Sequence, residues 1–245
     1  IVVVINVEKD NPLAENIYSN GQTASSTALI EAFPEEIRSG RLIIHLCYNW
    51  GPNAGSATAL NEGIEIASKL GAEFVMCWSL ELEMNVQKIK KALRLIKEKQ
   101  LFVVGFLRKG YQEHPAQGTP QNTGAIWSVD KLLSIGGFSE RCNGADGKTV
   151  LTEKFGEVPR AGMENIYAMI ELMIKYLDDF KWAMIKEKDL PEWNTTFPTD
   201  LKRTLMVEKM IARQSKVGCE WAGILLPDLS CKEVKKALDA HHYQD

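Results

Sequence analysis

Apolar residues in this chain follow two rhythms, short unbroken runs and helical spacing, which take turns along its N-terminal half. "IVVVINV" (Ile1 to Val7) is β-branched and too continuous for a half-exposed strand, so a buried strand is expected. "TASSTALIEAF" (Thr23 to Phe33) has helical composition and stops before Pro34, and "RLIIHLCY" (Arg41 to Tyr48) returns to strand. In "NAGSATALNEGIEIASKLG" the residues Ala57, Leu60, Ile64 and Ala67 recur at helical spacing, and Gly71 stands where a C-terminal cap is expected. "FVMCWSLELE" (Phe74 to Glu83) is the next strand. "NVQKIKKALRLIKEKQ" is a basic amphipathic helix with Val86, Ile89, Leu93 and Ile96 on one stripe, and "LFVVGFL" (Leu101 to Leu107) is a strand again. Strands separated by single helices predict a mostly parallel sheet with helices on both faces.

Beyond Gly110 the punctuation loosens. A loop rich in Gln, Pro and Gly precedes "NTGAIWSVDKLLSIGGF", another loop is expected from Cys142 to Pro159, and "MENIYAMIELMIKYL" (Met163 to Leu177) reads as a helix. Two further helices are predicted after Pro198, in "DLKRTLMVEKMIARQ" and "SCKEVKKALDAHH"; Ser230 and Glu233 of the second have capping-box spacing. The expected organisation is one α/β domain over residues 1–197 and a helical C-terminal extension over residues 198–245. The apolar stripe of the extension (Leu201, Leu205, Met206) can cover the domain, dock an acceptor or build a homodimer contact.

Composition removes several classes of partner. With 29 basic and 32 acidic residues among 245, the net charge of -3 gives no electrostatic case for a nucleic-acid coat or a polybasic membrane patch. Cys47, Cys77, Cys142, Cys219 and Cys231 are odd in number and lack C-x-x-C spacing, so neither a disulfide framework nor a zinc knuckle is expected. A reducing, cytoplasmic setting is the expectation. No apolar stretch approaches the roughly 18 residues of a membrane span, and no basic-then-apolar leader opens the chain. His45, His114, His241 and His242 form no metal spacing. The G-x-G-x-x-G of a dinucleotide-binding turn and the G-x-S-x-G of a nucleophile elbow are both missing from the sequence.

The residues that remain have a chemistry of their own. In "NAGSATALNEG", Gly55 and its small neighbours permit close approach of backbone to a ligand, and the following helix start offers amides to an anion. Asn53 and Asn61 can fix loop geometry or hydrogen-bond a nucleotide; a plain strand-to-helix turn needs neither role. Glu81 and Glu83 share one face of an extended chain, which suits them to a common cation or to solvation at a strand end. Trp78 and Trp127 are apolar-segment tryptophans, suited to the core or to stacking on a ring.

Three stretches, in order, carry a resemblance. "NAGSATALNEGIEIASKLGAEFVMCWSLE", "IWSVDKLLSIGGFSE" and "GMENIYAMI" together resemble the family 2 glycosyltransferases of the GT-A fold, over roughly Asn53 to Ile170. The likeness implies a nucleotide-diphospho-sugar transferase fold of α/β type, a mixed and mostly parallel sheet flanked by helices. It implies a nucleotide-diphospho-sugar donor, a hydroxyl acceptor and Mg²⁺ or Mn²⁺ as cofactor. "IVVVINV" resembles the family's second strand, which implies a first strand outside this sequence.

By the same resemblance, Asn6, Asn53, Gly55, Asn61, Ser79, Gly136 and Gly137 fall at nucleotide-sugar-binding positions, Asn6 with Glu8 near the base or ribose. The metal positions fall on Glu81, with Glu83 two residues on. The family's D-x-D is here Ser79-Leu80-Glu81, one formal charge fewer, and its Glu-Asp is Glu164-Asn165. An amide is no general base, so the catalytic position falls to Glu164, whose plainer role is a first-turn carboxylate favoured by the helix dipole. Inverting, metal-assisted sugar transfer is the expected function. The competing expectation is a catalytically degenerate GT-A domain acting as a binding or assembly module.

Overall fold

The computed structural model describes residues 1–9, 14–49, 57–78, 85–106, 120, 124–139, 149–152, 156–159, 164–185 and 231–243. Strand β1 (Val2–Asn6) leads through helices α1 (Ala24–Ala32) and α2 (Pro34–Arg38) into β2 (Ile43–Cys47). Then follow α3 (Ala57–Lys69), β3 (Phe74–Trp78), α4 (Val86–Glu98), β4 (Val103–Phe106), β5 (Gly124–Ser128) and α5 (Val129–Leu133). A hairpin of β6 (Thr149–Thr152) and β7 (Gly156–Pro159) precedes α6 (Glu164–Tyr176), β8 (Trp182–Ile185) and α7 (Cys231–Ala240). The protein is thus a mixed α/β fold. No helix among the described residues is long and apolar enough to cross a membrane.

Among the described residues the strands group into three sheets: β1 beside β2, the order β3-β5-β4-β8, and the β6-β7 hairpin. β1 and β2 are parallel, as are β4 and β8, while β5 runs against both β3 and β4. Three of the four strands in the larger sheet therefore share one direction. Among the described strands, β1 pairs only with β2 and β3 only with β5. Helix α3 packs against β1, β2 and β3, so one helix bridges the two sheets.

Period-two alternation divides the larger sheet between two apolar layers. Val104, Phe106, Ile126, Ala183 and Ile185 face α4 through its Ala92 and Ile96, whereas Val103, Ala125, Trp127 and Trp182 face the other layer, which holds Ile64 of α3 and much of α6. α6 is apolar on most sides because it is enclosed, with Tyr167, Ala168, Met169, Ile170, Leu172 and Met173 all buried.

Local chemistry sets several boundaries. Thr23 caps α1 by accepting from the Ser26 amide at 3.2 Å while the Ser26 hydroxyl accepts from the Thr23 amide at 2.7 Å. Pro34 both ends α1 and opens α2, a short helix the sequence pattern had not suggested, because proline is well suited to a first helical position. Gly71 does adopt the left-handed conformation of a C-terminal cap, with φ of 76°.

Two expectations need correction, and one strand lay outside them. The stretch from Cys142 to Pro159, expected as loop, contains the β6-β7 hairpin; its strands are four residues each and too short to show periodicity. β8 went unforeseen for the same reason, although Trp182, Ala183 and Ile185 are buried. Val86 is 56% exposed, so the buried stripe of α4 centres instead on Ala92 and Ile96, with Ile89 and Leu93 beside it.

The end of the chain returns to the domain. The Trp182 indole donates to the Leu238 carbonyl at 2.8 Å, and the Tyr243 amide donates to the Trp182 carbonyl at 2.7 Å. His242 bridges to Trp182 in parallel. Ser230 and the Leu201, Leu205 and Met206 stripe lie outside the described residues.

Candidate functional site

Strand direction defines one carboxyl edge of the larger sheet. β3, β4 and β8 run the same way, so Trp78, Phe106 and Ile185 close a common carboxyl edge, the usual ligand-binding side of an open α/β sheet. Glu164 opens α6 and is 3% exposed. The neighbouring Asn165 side chain donates to the carbonyl of Pro120, and Pro120 lies against Gly105, the penultimate residue of β4. The start of α6 is thereby tied to the carboxyl end of β4. Asn6 ends β1 in the two-stranded sheet, and α3, which packs on β1, β2 and β3, links that sheet to the larger one.

Asn6 is 8% exposed. Its side-chain oxygen accepts from the Glu8 amide at 3.0 Å, and its carbonyl accepts from the Glu15 amide at 2.8 Å. Its side-chain nitrogen is buried and has no hydrogen-bond partner among the described residues. A buried, unpaired amide donor is costly to keep, and this one stands at the carboxyl end of its strand.

Glu15, which fixes that strand end, is itself anchored. Its carboxylate accepts from the Ser25 amide at 2.9 Å and from the Ser25 hydroxyl at the start of α1. Burial works to raise its pKa, but the hydrogen bonds from Ser25 and Thr23 prevail and hold it below the ordinary value of 4.5. A depressed carboxyl contributes stability above its unfolded pKa and loses it as pH falls through the folded one. Glu15→Gln is accordingly expected to cost about 1 kcal/mol at pH 7, a gap that closes below pH 4.5 in paired thermal melts.

Two sequence motifs turn out to be one structural unit. The Asn61 carboxamide donates to the Phe138 carbonyl at 2.8 Å and accepts from the Phe138 amide at 2.8 Å, so it holds the Gly136-Gly137-Phe138 turn onto α3. Of the two roles open to Asn61, loop fixation is the one its described contacts fill. Gly136 and Gly137 have φ of 81° and 83°, the region glycine adopts at least cost. A Cβ on Gly137 would come within 2.9 Å of Asn61 Cγ. Phe138 is fully buried and meets Trp127 edge-on at 5.3 Å, which makes Trp127 a core residue. Trp78 is half-buried and packs edge-on against Phe106 at 5.4 Å.

Cys47 and Cys77, at or near the ends of β2 and β3, are free and buried. Burial pushes the Cys47 thiol up to about 11, with the Glu62 and Glu8 carboxylates adding to the push against the lowering effect of the Asn49 amide. Burial alone pushes Cys77 up to about 12. Glu62 also pairs with His45 at 2.7 Å. Neither cysteine is a nucleophile at neutral pH, because thiolate is the reactive form. Site-resolved alkylation at pH 8 is expected to modify both at least about 100-fold more slowly than an ordinary thiol of pKa ~8.5, until denaturant is added.

Asn53, Gly55, Ser79, Glu81 and Glu83 lie outside the described residues. Among the described residues no group of three His, Cys, Asp or Glu side chains is arranged to hold a metal ion. Sequence reasoning missed Gly105 and Pro120, whose close packing has no short-range signature; it also missed the pairing of Asn61 with Phe138, 77 positions apart.

No protein-family profile matches the chain, and no curated protein matches it in sequence. Solved structures of the S. aureus glycosyltransferase TarS share part of its shape. TarS 1-349 in complex with UDP aligns at 12% identity and a TM-score of 0.47, covering 95% of this chain and 66% of that one. A structure of TarS aligns at 14% identity and 0.42, covering 95% and 46%, and a further structure of TarS 1-349 at 12% and 0.38, covering 95% and 76%. The likeness is one of partial shape, and the functional reading rests on this chain's own residues.

Proposed function

We propose that this chain is a GT-A-type nucleotide-sugar transferase domain, moving a sugar from a nucleotide-diphosphate donor to a hydroxyl-bearing acceptor with inversion. The observation that carries the reading is the unpaired, buried amide nitrogen of Asn6 at the carboxyl end of β1, with the buried carboxylate Glu164 at the start of α6 as the candidate base. The donor offers the acceptors that Asn6 lacks, a base carbonyl or ribose hydroxyl. Glu164 takes the proton from the acceptor hydroxyl as that oxygen attacks the anomeric carbon and the nucleoside diphosphate leaves. Gly136 and Gly137, held by Asn61, form the turn beside the sugar.

β3 runs extended to Trp78 at the carboxyl edge of the larger sheet, and the chain continues from there into Ser79, Glu81 and Glu83. In this reading Glu81, helped by Glu83, holds Mg²⁺ or Mn²⁺; carboxylates suit such hard cations. The ion's chemistry is to neutralise charge on the departing diphosphate. Asn53 and Gly55 belong to the loop that approaches the phosphates.

A second reading, a binding or assembly module without turnover, is favoured by one observation: Ser79 and Asn165 stand where the resembled family has aspartates. A thermal-shift screen of nucleotide sugars with and without Mn²⁺, followed by a transfer assay, separates the two. Stabilisation by one donor, dependent on Mn²⁺ and lost in Glu81→Ala, supports the transferase. Absence of stabilisation by every donor contradicts it.

A further inference from the structure

Resting on the transferase reading, we infer that Asn165 is a positioning residue whose carboxamide must donate to the Pro120 carbonyl, holding the start of α6 and its Glu164 against the carboxyl end of β4. Asn165 is 2% exposed, and its side-chain nitrogen bonds the Pro120 carbonyl. Pro120 is itself buried. A Cβ on Gly105 would come within 2.7 Å of Pro120 Cα and 2.5 Å of Met184 Sδ, so strand, proline and β8 are stacked without slack.

A buried carbonyl in such a stack requires a donor. Asparagine supplies one; an ionised aspartate has only acceptors and would set oxygen against oxygen. The departure from Glu-Asp is therefore a change of task. Position 165 gives up acid-base chemistry to secure the frame, and the adjacent Glu164 keeps the proton transfer. Glycine at 105 belongs to the same device, since it lets the proline sit on the strand.

The test uses Asn165→Asp and Asn165→Ala in the full chain, with two readouts. The first is the thermal midpoint between pH 4 and pH 8. The Pro120 carbonyl, described against the Asn165 side chain, is uncharged and offers an aspartate there no donor, and the position is 2% exposed, with the acidic Glu164 adjacent in the chain. Burial and the missing donor raise the folded pKa of an aspartate there, so the stability of Asn165→Asp is present below its unfolded pKa of about 3.9 and is lost as pH rises toward neutrality. Asn165→Ala shows an offset that does not change with pH. If the Asn165→Asp offset is equally flat, the donor role of Asn165 is overturned.

The second readout is steady-state transfer well below the melting temperature. Both variants are expected to lose roughly 10- to 100-fold in kcat with donor KM held within about twofold, since the donor is gripped elsewhere. Wild-type kcat in either variant, or a gain in Asn165→Asp, overturns the positioning role. Failure of the wild-type protein to bind any donor refutes the transferase reading, and the pH dependence of the melts still decides the Pro120 bond.

Discussion

Glu164→Gln is expected to lower sugar transfer by about 10²- to 10⁴-fold, the usual contribution of a positioned general base. The substitution preserves shape and removes only the ability to take a proton. Glu164 is buried at the first turn of α6, where neither bulk water nor a neighbouring aspartate replaces it, because the next residue is Asn165 with its amide committed to Pro120. Donor affinity is expected to hold, since the contacts assigned to the donor come from β1 and from the chain after β3. Calorimetry alongside a transfer assay separates the two quantities. A variant that binds donor and transfers sugar at the wild-type rate removes Glu164 from the mechanism.

The second large effect concerns the Gly136-Gly137-Phe138 turn held by Asn61. Gly137→Ala is expected to destabilise the protein by about 2–4 kcal/mol, summing the cost of a side chain in the left-handed region and that of crowding a packed contact. Asn61→Ala is expected to cost about 2–3 kcal/mol, because two hydrogen bonds to the Phe138 backbone are lost and their partners are left partly buried. The two substitutions strike one unit, so their effects will not add. In the double variant Asn61 no longer opposes the new Cβ, and the combined loss in urea-denaturation midpoints should fall short of the sum by about 1 kcal/mol or more. Full additivity would mean that α3 and the glycine turn are independent.

That unit also shows what the sequence reveals and what it conceals. The asparagine on α3 and the Gly-Gly-Phe turn are each legible as local patterns, since turn chemistry and helical spacing act over a few residues. Their hydrogen bonds join positions far apart in sequence, and no local rule encodes which partner a carboxamide will find. β1 through β4 and α3, α4 and α6 were legible because long apolar runs or long stripes mark them. β8 and the β6-β7 hairpin, at four residues per strand, were too short for periodicity to register.

The site divides along the same line. Glu164 and Asn6 were found by motif position, and their burial came only from packing. The Asn165 to Pro120 bond changes the sense of a motif departure, from the loss of a base to the gain of a donor, and depends on Pro120 lying against Gly105 of β4. Burial likewise decides the fate of Trp127, which sequence alone left open between core and ring stacking.

The most direct test of the whole account is photo-crosslinking with a nucleotide sugar carrying a photoreactive base, with the adducts mapped by peptide mass spectrometry. Labelling that unmodified donor competes away, concentrated on the peptides holding Asn6 and the Trp78 to Glu83 stretch, is the predicted result. Competable adducts confined to the amino edge of the sheet or to α7, with none on those two peptides, would contradict it.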